Sequence, residues 1–61
     1  MDRIKVVGPD MMCWPVDAVT LEALACSHYD PYAWVTPDPK YTETISMHEW
    51  YDRRKQLKGD D

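Results

Sequence analysis

Sixty-one residues leave room for one small domain, and with 44% hydrophobic and 30% charged residues the chain is too apolar to stay disordered. The net charge is −4, and the excess sits in residues 1–45, where Arg3, Lys5 and Lys40 stand against seven Asp and Glu groups. Residues 46–61 carry four groups of each sign, so the body is acidic and general attraction to nucleic acid or anionic membrane is disfavoured.

In chain order, Arg3–Val7 is β-branched and reads as a strand, Gly8-Pro9-Asp10 as a turn, and Met11–Val16 as the returning strand of a hairpin. Pro15 lacks an N–H, so that strand is expected to lie at an edge or to end there. From Asp17 to Tyr29 the pattern predicts a helix, capped by Asp17 or Thr20, with Leu21, Leu24, Ala25 and His28 along one stripe. It should stop before Pro31, which pushes Asp30 out of helical geometry. Tyr32–Thr36 and Tyr41–Ile45 read as strands joined through Pro37-Asp38-Pro39. Ser46-Met47-His48-Glu49 has the form of a capping box. The helix it opens is predicted to run to about Lys58, with Gly59 ending it, and to carry Met47, Trp50, Tyr51 and Leu57 on one side. Glu49 and Arg53 stand in the favourable i, i+4 order. The expected fold is α+β in the order β-β-α-β-β-α: a small antiparallel sheet of two hairpins, two helices on one face, and residues 1–61 as a single domain.

Few residues point to chemistry. No charged-then-apolar leader opens the chain and no stretch approaches the length of a membrane span, so a cytoplasmic protein with reduced thiols is expected. Cys13, Cys26, His28 and His48 are the right types for zinc but lack the paired spacing zinc sites favour. On the predicted helix, Cys26 and His28 diverge by about 200°. The reading is therefore no metal and no cofactor. A Cys–His nucleophile needs an orienting group and an enclosed pocket, which so short a chain has little volume to build, so no enzymatic activity is expected. The basic run Arg53, Arg54, Lys55 and Lys58 lies beside Trp50 and Tyr51, an arrangement that can grip phosphate and stack on bases. Cations in the last turns of a helix also complement its dipole without any ligand, and that reading is preferred.

The remaining feature is seven aromatics, three Trp and four Tyr. A core this small holds about three such rings, and the rest belong at the surface, where Trp and Tyr anchor protein interfaces. Alternation along Tyr32–Thr36 sets Ala33 and Val35 on one face and Tyr32 and Trp34 on the other. The small pair fits under a helix, which turns Tyr32 and Trp34 outward, while the reverse assignment would make Trp34 a core residue beneath Leu21 and Leu24. Trp34, Tyr32, Trp14 and Tyr41 are the candidate partner-binding residues. The function expected is docking on a larger protein partner. A nucleic-acid-binding module using the C-terminal helix is the alternative, and a self-associating structural component, a homo-oligomer, is a third.

Two resemblances touch these residues. Ser46-Met47-His48-Glu49-Trp50, followed by Arg53 and Arg54, resembles the run that opens the first helix of phage excisionases. In that family a DNA-reading helix comes next, whereas here the motif lies close to the end of the chain, so the likeness is carried no further. In size and acidity the chain resembles phage and mobile-element proteins that inhibit host enzymes, anti-CRISPR proteins among them, which implies a viral inhibitor acting by protein binding.

Overall fold

The computed structural model describes residues 2–25 and 27–59. Ile4, Val6 and Val7 favour extended backbone, and Arg3–Val7 forms strand β1. It pairs antiparallel with β2 (Met12–Asp17), with Val6 opposite Trp14 and Val7 opposite Cys13. The hairpin closes through Pro9–Met11, where Asp10 (φ 57°) and Met11 (φ 61°) adopt the left-handed conformation. Asp tolerates that region better than most residues, whereas Met does so at a cost of about 1–2 kcal/mol.

β2 is an interior strand: the sheet order is β3-β2-β1-β4. Pro15 is accommodated because its carbonyl accepts from Leu24 N–H (2.9 Å), away from β1. Since the N–H and C=O of one strand residue point the same way, the missing donor faces the 23–24 segment and not β1, so the β1–β2 ladder loses no bond.

Among the described residues the helix expected over Asp17–Tyr29 is not formed, and they build an α+β architecture with one α-helix and one four-stranded mixed sheet. Asp17 performs the chemistry of a cap within a turn: its Oδ1 accepts from Val19 N–H (2.7 Å) and Thr20 N–H (3.0 Å). Those bonds hold its carboxyl below the usual range. Leu21 then takes φ 62°, which ends any right-handed helix, and Ala23 bridges back to Val16. The chain continues along β2 as β3 (His28–Tyr29), pairing Tyr29 with Met12 and His28 with Cys13. Asp30 N–H donates to Met11 O (2.9 Å) and extends this register by one residue.

The second predicted hairpin is also absent. Asp30 Oδ1 accepts from Tyr32 N–H (2.9 Å), and Ala33, Val35 and Thr36 amides donate back to Asp30 and Tyr32 carbonyls, so residues 30–36 coil into turns. Asp followed by Pro ends a preceding helix, but it also starts a turn, with Asp capping and Pro in the first position. Asp38-Pro39 repeats the device as expected, with Tyr41 N–H donating to Asp38 O (3.0 Å).

β4 (Glu43–Ser46) then pairs in parallel with β1 rather than with residues 32–36, and Val6 lies opposite Ile45. Thr42 fixes its entry, through N–H and Oγ1 bonds to Arg3 O (2.8 and 3.1 Å). The final helix, α1 (Met47–Leu57), begins as expected, with Ser46 Oγ accepting from Glu49 N–H at 3.1 Å. Ser46→Ala is expected to destabilise the fold by about 0.5–2 kcal/mol, the usual cost of a lost N-cap. Urea melts of variant and parent measure this directly.

Both sheet faces are covered. On one, Ile4, Val6, Val16, Leu21 and Ile45 pack with Trp50 of α1, flanked by Trp14, Ala18 and Met47. Trp50 Nε1–H donates to Leu21 O (2.8 Å), tying the helix to the turn after β2. Tyr51 and Leu57, expected on the packed side, are exposed, because the helix touches the sheet through its first turns only. On the other face, Val7, Cys13 and Ala33 form a second cluster beneath the 30–42 segment.

Candidate functional site

Two surfaces gather residues with chemical potential. The first surrounds β4, which has a neighbour on one side only. Pro15 C=O turns away from β1, so Arg3, Lys5 and Val7 direct their backbone groups to β4, where the register matches them to Glu43 and Ile45. By alternation the N–H and C=O groups of Thr44 point to the open side. An open groove of about 420 Å³ runs there, lined by Trp34, Thr44, Ile45, Ser46, Glu49 and Arg53. Arg53 organises its charged wall: Nη1 and Nη2 donate to the two Glu43 carboxylate oxygens (3.0 and 3.1 Å), and Nε donates to Glu49 Oε2 (2.9 Å). The Arg53 bond pulls the Glu43 carboxyl below its ordinary pKa, and both carboxylates raise that of Arg53. A depressed carboxyl contributes stability that is complete at neutral pH and fades as acid carries Glu43 through its folded pKa. The pair is partly exposed, so the contribution is small.

Beside this groove, Tyr32, Trp34 and Val35 are 64%, 58% and 74% exposed, while Ala33 between them is 1% exposed. The outward placing of Tyr32 and Trp34 holds, although through a coil rather than strand alternation. Val35, expected inward with Ala33, is instead exposed, because a turn does not alternate. The other two aromatics singled out are engaged within the fold. Trp14 is half-buried edge-on against Trp50 (ring centroids 5.5 Å apart). Tyr41 is half-buried under the Lys5 ammonium, 5.1 Å from its ring centroid. Burial is the main reason the Tyr41 phenol is pushed above its usual pKa.

The basic run is dispersed. Arg53 is committed to Glu43 and Glu49, and the Arg54 guanidinium lies 5.0 Å over the Trp50 ring. Lys55 and Lys58 are exposed at the end of α1.

The second surface is the thiol–imidazole pair. Cys13 and His28 are cross-strand partners, and Cys13 Sγ lies 3.2 Å from His28 Nε2. Asp30, two residues beyond His28 on the same face, brings a carboxylate oxygen to within 4.8 Å of the other two donor atoms. Spacing alone could not reveal this, because a helical reading of residues 17–29 sends His28 elsewhere. Cys26, weighed above as a zinc-type residue and expected to be a reduced thiol, lies outside the described residues, and with it the Cys26–His28 geometry. His48 is exposed on α1.

The pair is poorly arranged for nucleophilic work. Cys13 is buried, and burial first, then the Asp30 charge, push its thiol pKa up, against a smaller downward pull from Lys5. A nucleophilic cysteine needs a stabilised thiolate and open approach. Lys5 is only 5% exposed on this same face.

No helix among the described residues is long and apolar enough to cross a membrane. Comparison with protein-family models finds no match, and comparisons with curated proteins and with solved structures find none either.

Proposed function

We propose that the chain is an acidic interaction domain that docks on a larger protein through Trp34, Tyr32 and Val35 and the adjoining open edge of β4. The observation that carries this reading is Trp34: a large apolar ring, 58% exposed, bordering a groove along unpaired strand backbone. An exposed indole is the commonest kind of interface anchor, and an open edge adds main-chain hydrogen bonds for an extended partner segment. The acidic body favours a partner with basic groups around the contact. Occlusion of a host enzyme by a phage or mobile-element inhibitor is one use suited to this size and charge. The nucleic-acid alternative is less well supported, since Arg53 and Arg54 already have intramolecular partners.

Trp34→Ala should stay folded, with a stability change within about 0.5 kcal/mol, because the ring is mostly in solvent. A protein captured by the parent chain from source-cell lysate should bind the variant at least about 30-fold more weakly, the equivalent of 2 kcal/mol. Lys55→Ala/Lys58→Ala should keep the capture. Unfolding of Trp34→Ala, or capture that survives both Trp34→Ala and Val35→Glu, would overturn the docking reading. Submicromolar binding to mixed-sequence DNA that disappears in an Arg53/Arg54/Lys55→Ala triple would install the alternative. Concentration-dependent sedimentation of the isolated chain, abolished by Trp34→Ala, would make the partner a second copy.

A further inference from the structure

We propose that Cys13, His28 and Asp30 form a three-ligand site for a divalent transition metal of the zinc class, with the fourth position open to water or an incoming ligand. It stands independently of the docking surface. The three donor atoms converge within 4.8 Å of one another, and each comes from backbone fixed by pairing. Cys13 lies on interior strand β2, His28 lies directly opposite on β3, and Asp30 is held to Met11 O through its own amide. His28 and Asp30 share a face because strand residues two apart do. Asp30 Oδ1 also accepts from Tyr32 N–H (2.9 Å), which orients the carboxylate in the way that outer hydrogen bonds orient metal ligands.

The donor set selects the ion. Thiolate and imidazole favour zinc-class metals over magnesium or calcium, and a carboxylate completes sets of three in zinc sites that keep an open position. The Cys13–His28 separation of 3.2 Å is close to the spacing two ligands adopt around a tetrahedral zinc, roughly 3.5 Å from bond lengths near 2.3 and 2.0 Å. Charge also balances. On binding, the Cys13 thiol releases its proton to solvent, and thiolate plus carboxylate neutralise the dication next to a buried strand. Lys5, on the same face, opposes the cation, and its ammonium is drawn instead toward the Tyr41 ring.

The test uses Co2+ as a spectroscopic stand-in, titrated into the full chain purified without chelator. One Co2+ per chain is expected, with thiolate-to-cobalt charge-transfer absorption in the near ultraviolet that Zn2+ abolishes by displacement. Cys26→Ser should keep this band, which assigns it to Cys13, and Cys13→Ser should lose it. His28→Asn and Asp30→Asn change side chains outside the core, should leave the circular dichroism intact, and should weaken binding at least about tenfold. Absence of the band in the parent chain would overturn the proposal. So would a band that persists in Cys13→Ser, or one that Cys26→Ser removes while His28→Asn and Asp30→Asn leave it unchanged.

Discussion

Trp50→Ala is expected to cost about 3–5 kcal/mol, the usual loss for truncating a large buried aromatic, and to leave the chain largely unfolded at room temperature. A domain of this length has a total stability of the same order. Trp50 contributes three things at once: the indole fills the space over Ile4, Val6, Val16 and Ile45, its edge meets Trp14, and its N–H satisfies Leu21 O. Substitution by Phe separates these. Trp50→Phe keeps most of the apolar contact but leaves a buried carbonyl without its donor, a loss of about 1–3 kcal/mol. Trp14 supplies the control, because its Nε1 is buried and has no hydrogen-bond partner among the described residues. Trp14→Phe removes an unsatisfied donor along with some contact area, so the two effects offset and stability should hold within about 1 kcal/mol. Thermal and urea melts of the three variants read all of this. Equal losses for Trp50→Phe and Trp14→Phe would show that the Leu21 bond does not pin the helix.

That bond also marks where sequence reasoning reached its limit. The first hairpin and the last helix were legible because their signals are local: β-branched runs around a Gly-Pro-Asp turn, and a serine cap with Glu49 three residues on. Residues 17–29 carried local signals too, but every one had a second meaning. Asp17 and Thr20 serve a turn as well as a helix start, and the stripe Leu21, Leu24, Ala25 and His28 buries only Leu21. What decided the outcome was tertiary. β2 had an unpaired side facing this segment, and Leu21 could adopt a left-handed conformation once its side chain and carbonyl were both engaged by the core and Trp50. The same applies to β4, which found β1 rather than its sequence neighbour. Both candidate surfaces depend on these long-range choices. The β4 edge exists because residues 32–36 coil instead of pairing, and Cys13 meets His28 only through the β2–β3 register. That several rings lie at the surface followed from size, because burying seven exceeds what so small a core can hold. Tyr32 and Trp34, however, were singled out by a strand alternation that the coiled segment does not have, which is why Val35 was misplaced with Ala33.

Gly8→Ala should destabilise the protein by about 1–3 kcal/mol, as overpacking does, even though alanine suits the backbone there. Gly8 has φ −106°, an extended value open to any residue. The obstacle is space: a Cβ at this position would lie 2.8 Å from two ring carbons of Trp14. The ring cannot simply give way, because its other side meets Trp50 edge-on and Trp50 is fixed to Leu21. One methyl group in the β1–β2 turn therefore presses on α1, whose Glu49 and Arg53 line the groove beside β4. A double-mutant cycle isolates the contact. With Trp14→Leu in the background the methyl gains room, so Gly8→Ala should cost much less there, and the coupling energy should reach about 1 kcal/mol or more. Losses that simply add would mean that the indole is not what holds position 8 to glycine.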